Sequence, residues 1–153
     1  KAAEIVQQYG RQLSLTLSDA FCVNRHRDDF IKLVNNHVDI LFANETELMA
    51  YTGMKHIEEA IQAIQGKCSI VAVTLGKEGS VIVTPDEKIA VKSVAPTMLV
   101  DTTGAGDAYA AGFLYGLTEG KPLAECGRIG SVAASEVISH MGPRPQKALS
   151  SLI

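Results

Sequence analysis

Residues 101–114 read Asp-Thr-Thr-Gly-Ala-Gly-Asp-Ala-Tyr-Ala-Ala-Gly-Phe-Leu, with two glycines and a carboxylate at what looks like the start of a helix of small residues. A helix start bares backbone N–H groups and carries partial positive charge, so it receives anions. Gly104 and Gly106 leave out the side chains that would hold a phosphate off the backbone. Asp107 would repel a passively bound phosphate, but it suits a base taking a proton from a hydroxyl that attacks phosphorus. The loop is not a Walker loop, because it lacks the Lys-Ser/Thr pair. Nor is it the dinucleotide fingerprint of a dehydrogenase, because Tyr109 stands where a third glycine belongs. On residues alone a phosphoryl-transfer loop and a plain packing turn before a buried helix both stay open.

Two other clusters fall at predicted strand ends. Asn44-Glu45-Thr46-Glu47 has the spacing of a capping box, in which Asn44 caps the helix and Glu47 reaches back. The same asparagine and glutamate suit a magnesium site, since Mg²⁺ keeps most of its waters and needs only one or two carboxylates. Thr74-Leu75-Gly76-Lys77-Glu78-Gly79 follows an apolar strand, where open α/β sheets bind ligands, and equally suits a turn into the next strand.

The elements that must position these residues follow from periodicity. Helices are expected at Lys1–Tyr9, Arg25–Asn36, Asn44–Tyr51, Ile57–Ile64, Gly104–Leu117 and Leu123–His140, with a short one at Pro145–Leu152. Strands are expected at Gln12–Leu17, Val38–Ala43, Ser69–Leu75, Ser80–Thr84 and Ile89–Val94, the last two joined as a hairpin. Strands alternating with helices predict an α/β fold, mostly parallel, with an antiparallel hairpin at one edge. Ala124, Gly127, Gly130, Ala133 and Ala134 give the 123–140 helix a small face for close packing.

Composition sets the bounds. The 153 residues suffice for one compact domain, and 46% hydrophobic with 20% charged residues describes a globular protein rather than a disordered one. A net charge of −3 without a dense basic block argues against a nucleic-acid partner. Arg25-His26-Arg27 is followed at once by Asp28-Asp29 and reads as a solvated helix face. Cys22, Cys68 and Cys126 lack metal spacing and suit reduced thiols in a cytoplasmic protein. No apolar run reaches the ~18 residues that would suggest a spanning helix, so no membrane partner is expected.

Residues 101–114 resemble the second signature of the ribokinase-like (PfkB) family of small-molecule kinases. The resemblance implies a ribokinase-like three-layer α/β/α fold. It also implies an ATP-dependent transfer of the γ-phosphate to a primary hydroxyl. It assigns the anion hole to Gly104, Ala105 and Gly106 and the general base to Asp107. It makes Asn44 and Glu47 organisers of Mg²⁺, and Thr74, Gly76 and Gly79 contacts of ATP. Val137 and His140 fall near the expected adenine pocket, and Gly142-Pro143-Arg144-Pro145 near the segment that helps bind a monovalent cation, K⁺, in many relatives. The substrate class is a nucleoside or a sugar, and a homodimer is allowed.

The resemblance covers nearly the whole chain but only the carboxyl-terminal half of a typical member. Residues 1–153 are therefore expected to be the ATP-binding and catalytic-base half of one kinase domain. The first strands, the β lid and most substrate contacts lie in the other half, so this piece by itself is expected to be inactive. Val38–Glu45, Leu17–Phe21 and Gly142–Pro145 most resemble adenosine kinases, which favours adenosine. The alternatives are a sugar kinase of the same fold and a non-catalytic nucleotide-binding domain.

Overall fold

The computed structural model describes residues 1–152. In chain order it has α1 (Ala2–Gln8), β1 (Ser14–Thr16), α2 (Ala20–Arg25), α3 (Arg27–His37), β2 (Ile40–Asn44), α4 (Glu45–Thr52), α5 (Ile57–Ile64), β3 (Ile70–Thr74), β4 (Ser80–Val83), β5 (Lys88–Val91), α6 (Ala105–Thr118) and α7 (Leu123–Val137). Short 3-10 turns lie at Gly76–Glu78 and Leu149–Ser151. The five strands run in the order β1-β2-β3-β4-β5. β1, β2 and β3 are parallel, with Leu15 opposite Leu41 and Leu41 opposite Val71. The links before β4 and β5 are too short for a parallel crossover, so these strands turn back antiparallel. The expected α/β class, with its edge hairpin, is the observed one.

The chain divides into two compact units. One holds Lys1–Thr74 with Val83–Lys88, the other Leu75–Ile82 with Ile89–Ile153. In the first, the middle strand β2 is buried from Ile40 to Ala43. A strand covered on both faces reads as a continuous apolar run rather than an alternating one. Leu41, Leu48, Ile64 and Val73 are completely enclosed, each contributing about 1.5–3 kcal/mol of burial. In the second unit α6 and α7 pack backbone to backbone. A Cβ on Gly130 would stand 2.8 Å from the Tyr109 carbonyl oxygen, and one on Gly112 2.8 Å from that of Ile129. The small face predicted for the later helix is what allows this approach.

Several boundaries differ from expectation. The segment before Arg25 is already helical, because Asp19 caps α2, its Oδ1 accepting the N–H groups of Phe21 at 2.6 Å and Cys22 at 3.0 Å. Arg27 does not lie on a solvated face. Its Nε and Nη2 donate to the carbonyls of Tyr51 and Thr52, both at 2.8 Å, and so satisfy the last carbonyls of α4. The final helix ends at Val137 rather than His140, and only Leu149–Ser151 of the last predicted helix forms a turn. No helix among the described residues is long and apolar enough to cross a membrane.

Candidate active site

In the first unit β2 delivers Asn44 to its carboxyl end, where it becomes the N-cap of α4. The capping box is complete. Asn44 Oδ1 accepts the Glu47 N–H at 2.9 Å, and the Glu47 carboxylate accepts the Asn44 N–H at 2.9 Å and its Nδ2 at 2.7 Å. Glu47 is only 7% exposed, so these donors offset the cost of burying its charge. Thr74 ends β3 directly opposite Asn44 in the register. Two motifs separated along the chain thus meet at the carboxyl ends of adjacent parallel strands.

No group of three or more His, Cys, Asp or Glu side chains able to cage a metal exists among the described residues. A calcium or zinc cage does not fit this arrangement. A fixed carboxylate beside an amide does fit a magnesium ion that keeps most of its own waters.

In the second unit α6 starts at Ala105, with Gly104 as N-cap and Asp107 in the first turn. The two glycines have different reasons. Gly104 has φ 80°, and a Cβ on it would lie 2.6 Å from the Pro143 Cβ, so both backbone and packing require glycine there. Gly106 has no such need, because a Cβ built on it meets nothing within 4 Å. Among the described residues nothing fills the space where that side chain would stand. Asp107 is exposed at the same helix start. Tyr109, at the place of the missing third glycine, is a core residue. Its hydroxyl donates to Ser80 Oγ at 2.8 Å, and burial pushes its pKa up to about 12.

The nucleotide candidates separate in the same way. Thr74 is half-buried, in the first unit. Gly76 has φ 57° with open space around it. Gly79 has φ 100°, and a Cβ there would collide with the Val91 carbonyl oxygen, so the passage of β5 accounts for this glycine. Lys77 is an exposed turn residue whose carbonyl accepts Ser93 Oγ at 2.6 Å. Val137 is fully enclosed against Ala108 and Ala133, which occupies its side chain in the core. His140 Nε2 lies 3.3 Å from Glu136 Oε2.

The structure joins the 101–107 loop to the 142–145 segment. Asp101 Oδ1 accepts the Thr103 N–H at 2.9 Å, and Oδ2 the Gly142 N–H at 3.1 Å. Hydrogen bonding from Thr103, through its side chain and its N–H, and then from Gly142 holds the Asp101 carboxyl below its ordinary range. Sequence reasoning did not single out Asp101 or Glu136. Asp before Thr-Thr-Gly is a turn signal that marks the first. Glu136 has one local partner, His140 four positions on, but its two backbone donors lie ten and eleven positions away and leave no local mark.

The start of α6 thus brings together a glycine N-cap, a helix N-terminus and an adjacent carboxylate. The chain belongs to the pfkB family of carbohydrate kinases, whose pattern matches residues 2–148. An uncharacterized sugar kinase of Archaeoglobus fulgidus is 41% identical over 116 residues, covering 76% of this chain and 46% of that protein. The structure of adenosine kinase from Sinorhizobium meliloti superposes with a TM-score of 0.94 at 44% identity, covering 98% of this chain and 46% of the other. Arabidopsis thaliana ribokinase, solved with ribose and ATP, gives a TM-score of 0.76 at 31% identity, covering 98% of this chain and 47% of that one. The chain spans less than half the length of the curated relatives it matches.

Proposed function

We propose that this chain is the ATP-binding and catalytic-base portion of a kinase that moves the γ-phosphate of ATP to a primary hydroxyl, with a nucleoside, adenosine foremost, as acceptor. The observation that carries the reading is the start of α6, where Gly104 is the N-cap, Asp107 stands in the first turn and a Cβ on Gly106 would meet nothing within 4 Å. In this reading the N–H groups of Gly104 and Gly106 hold the phosphoryl oxygens, where the helix start favours negative charge, and the N–H of Ala105, which donates to the Thr102 carbonyl at 3.2 Å, joins them only by exchanging that bond. Asp107 stands at the same start and accepts the proton of the attacking hydroxyl, an effect worth roughly 10²–10⁴ in rate.

Asn44 and Glu47 would hold Mg²⁺ through its waters, beside Thr74 at the adjoining strand end. The ion, when bound, neutralises phosphate charge. Thr74 and Gly76 border the nucleotide, and the turn that Gly79 makes possible fixes Gly76. Gly142–Pro145, tied to Asp101, is the place for a monovalent cation such as K⁺.

Adenosine is favoured by the likeness to the Sinorhizobium enzyme. The second reading is a sugar kinase, which the Archaeoglobus relative and the Arabidopsis ribokinase support. A panel of adenosine, cytidine, ribose and fructose with labelled ATP separates the two in the full-length protein. ATP binding by calorimetry without transfer to any acceptor would overturn both and leave a non-catalytic nucleotide-binding domain.

A further inference from the structure

A buried carboxylate on α7 has no part in the chemistry described so far. Glu136 is 9% exposed. Its Oε1 accepts the N–H groups of Gln146 and Lys147, both at 3.1 Å, and its Oε2 faces His140 Nε2 at 3.3 Å. Burying a charge is costly unless donors replace the lost water, and here backbone amides from another segment supply them.

Those amides belong to residues 142–147, which form neither helix nor strand. Among the described residues no backbone–backbone hydrogen bond holds this segment. Its bonded N–H groups are Gly142, which donates to Asp101, and Gln146 and Lys147, which donate to Glu136. Two carboxylates therefore fasten the segment, one at each end. Between them Pro143 lies close over Gly104, the N-cap of α6 with φ 80°, so that a Cβ there would stand 2.6 Å from the Pro143 Cβ.

We propose that Glu136 is a positioning residue for the phosphoryl-binding loop. It closes a clasp over 142–147, and through Pro143 that clasp fixes the backbone of Gly104 and so the aim of the N–H groups that follow. The proposal rests on the kinase reading of residues 101–107. Glu136 is enclosed and acts only through the segment it holds. A misplacement of about 1 Å in such a site can cost on the order of 10² in rate.

The test compares wild type, Glu136→Ala and Glu136→Gln in the full-length protein. Gln keeps an oxygen for the two amides, and Ala keeps none. In E136A we expect kcat to fall about 10- to 100-fold with the acceptor KM little changed, and E136Q to stay close to wild type. Unchanged kcat in E136A, with only a lower melting temperature, overturns the proposal, as does E136Q falling as far as E136A. Hydrogen exchange at the amides of 104–107 and 142–147 reads the clasp without any substrate. Faster exchange at both stretches in E136A alone supports it, and unchanged exchange at 104–107 overturns it. If wild type phosphorylates no acceptor, the kinase reading fails while the exchange result still decides the clasp.

Discussion

Asn44 and Thr74 stand opposite one another at the carboxyl ends of β2 and β3, thirty positions apart in sequence and paired in one parallel register. Asn44 also caps α4 and donates its Nδ2 to Glu47 at 2.7 Å. Cap and proposed metal site are therefore the same atoms. A helix start that already fixes a carboxylate is a rigid place from which to orient a hydrated ion.

Glu47→Ala removes both functions at once. Loss of the capping box is expected to cost about 1 kcal/mol, read from a urea midpoint. The Mg²⁺ concentration for half-maximal transfer should rise about 10- to 100-fold, and chelation with EDTA should abolish transfer in wild type. An unchanged Mg²⁺ response would confine Glu47 to its capping role.

Asp107→Asn should leave folding intact, because Asp107 is exposed and sits outside the core. Phosphoryl transfer should drop roughly 10²- to 10⁴-fold with ATP affinity retained. Near-normal turnover would remove Asp107 from the role of base.

The two loop glycines should respond in opposite ways. Gly104→Ala forces a left-handed backbone and a clash with Pro143, and should destabilise the protein by about 1–2 kcal/mol. Gly106→Ala meets open space, so its melting temperature should hold or rise slightly while kcat falls. Full activity in G106A would mean that nothing occupies that space during turnover.

Acid should loosen the 142–147 segment. Burial pushes Glu136 up, but His140 and the N–H groups of Gln146 and Lys147 outweigh it and hold the carboxyl low. Asp101 is held low by Thr103 and Gly142. A carboxylate lowered in the folded state binds fewer protons there than when unfolded, so its contribution is complete above the ordinary range, about pH 4, and is lost below it. Urea midpoints measured from pH 7 to pH 3 should fall on the acid side, and Asp101→Asn or Glu136→Gln should flatten that fall. Identical acid limbs in all three proteins would show that these bonds do not couple to folding.

Much of this molecule was legible locally. The cap at Asn44 and the glycine-rich start of α6 depend on neighbours a few positions away, so spacing alone determined them. The alternation of apolar runs determined the α/β class, because each element needs one face to bury. What only the tertiary structure decided are relations between distant residues. These are the Asn44–Thr74 register, the Arg27 cap on α4, and the grip of Asp101 and Glu136 on residues 142–147. A hydrogen bond spanning 41 positions leaves no periodicity behind it, since either partner taken singly is an ordinary polar residue. The 101–107 loop shows both halves of this lesson. Its residues raise the expectation of a phosphate, and Pro143 beside Gly104, with nothing within 4 Å of a Cβ on Gly106, shows which glycine the fold requires and which it does not.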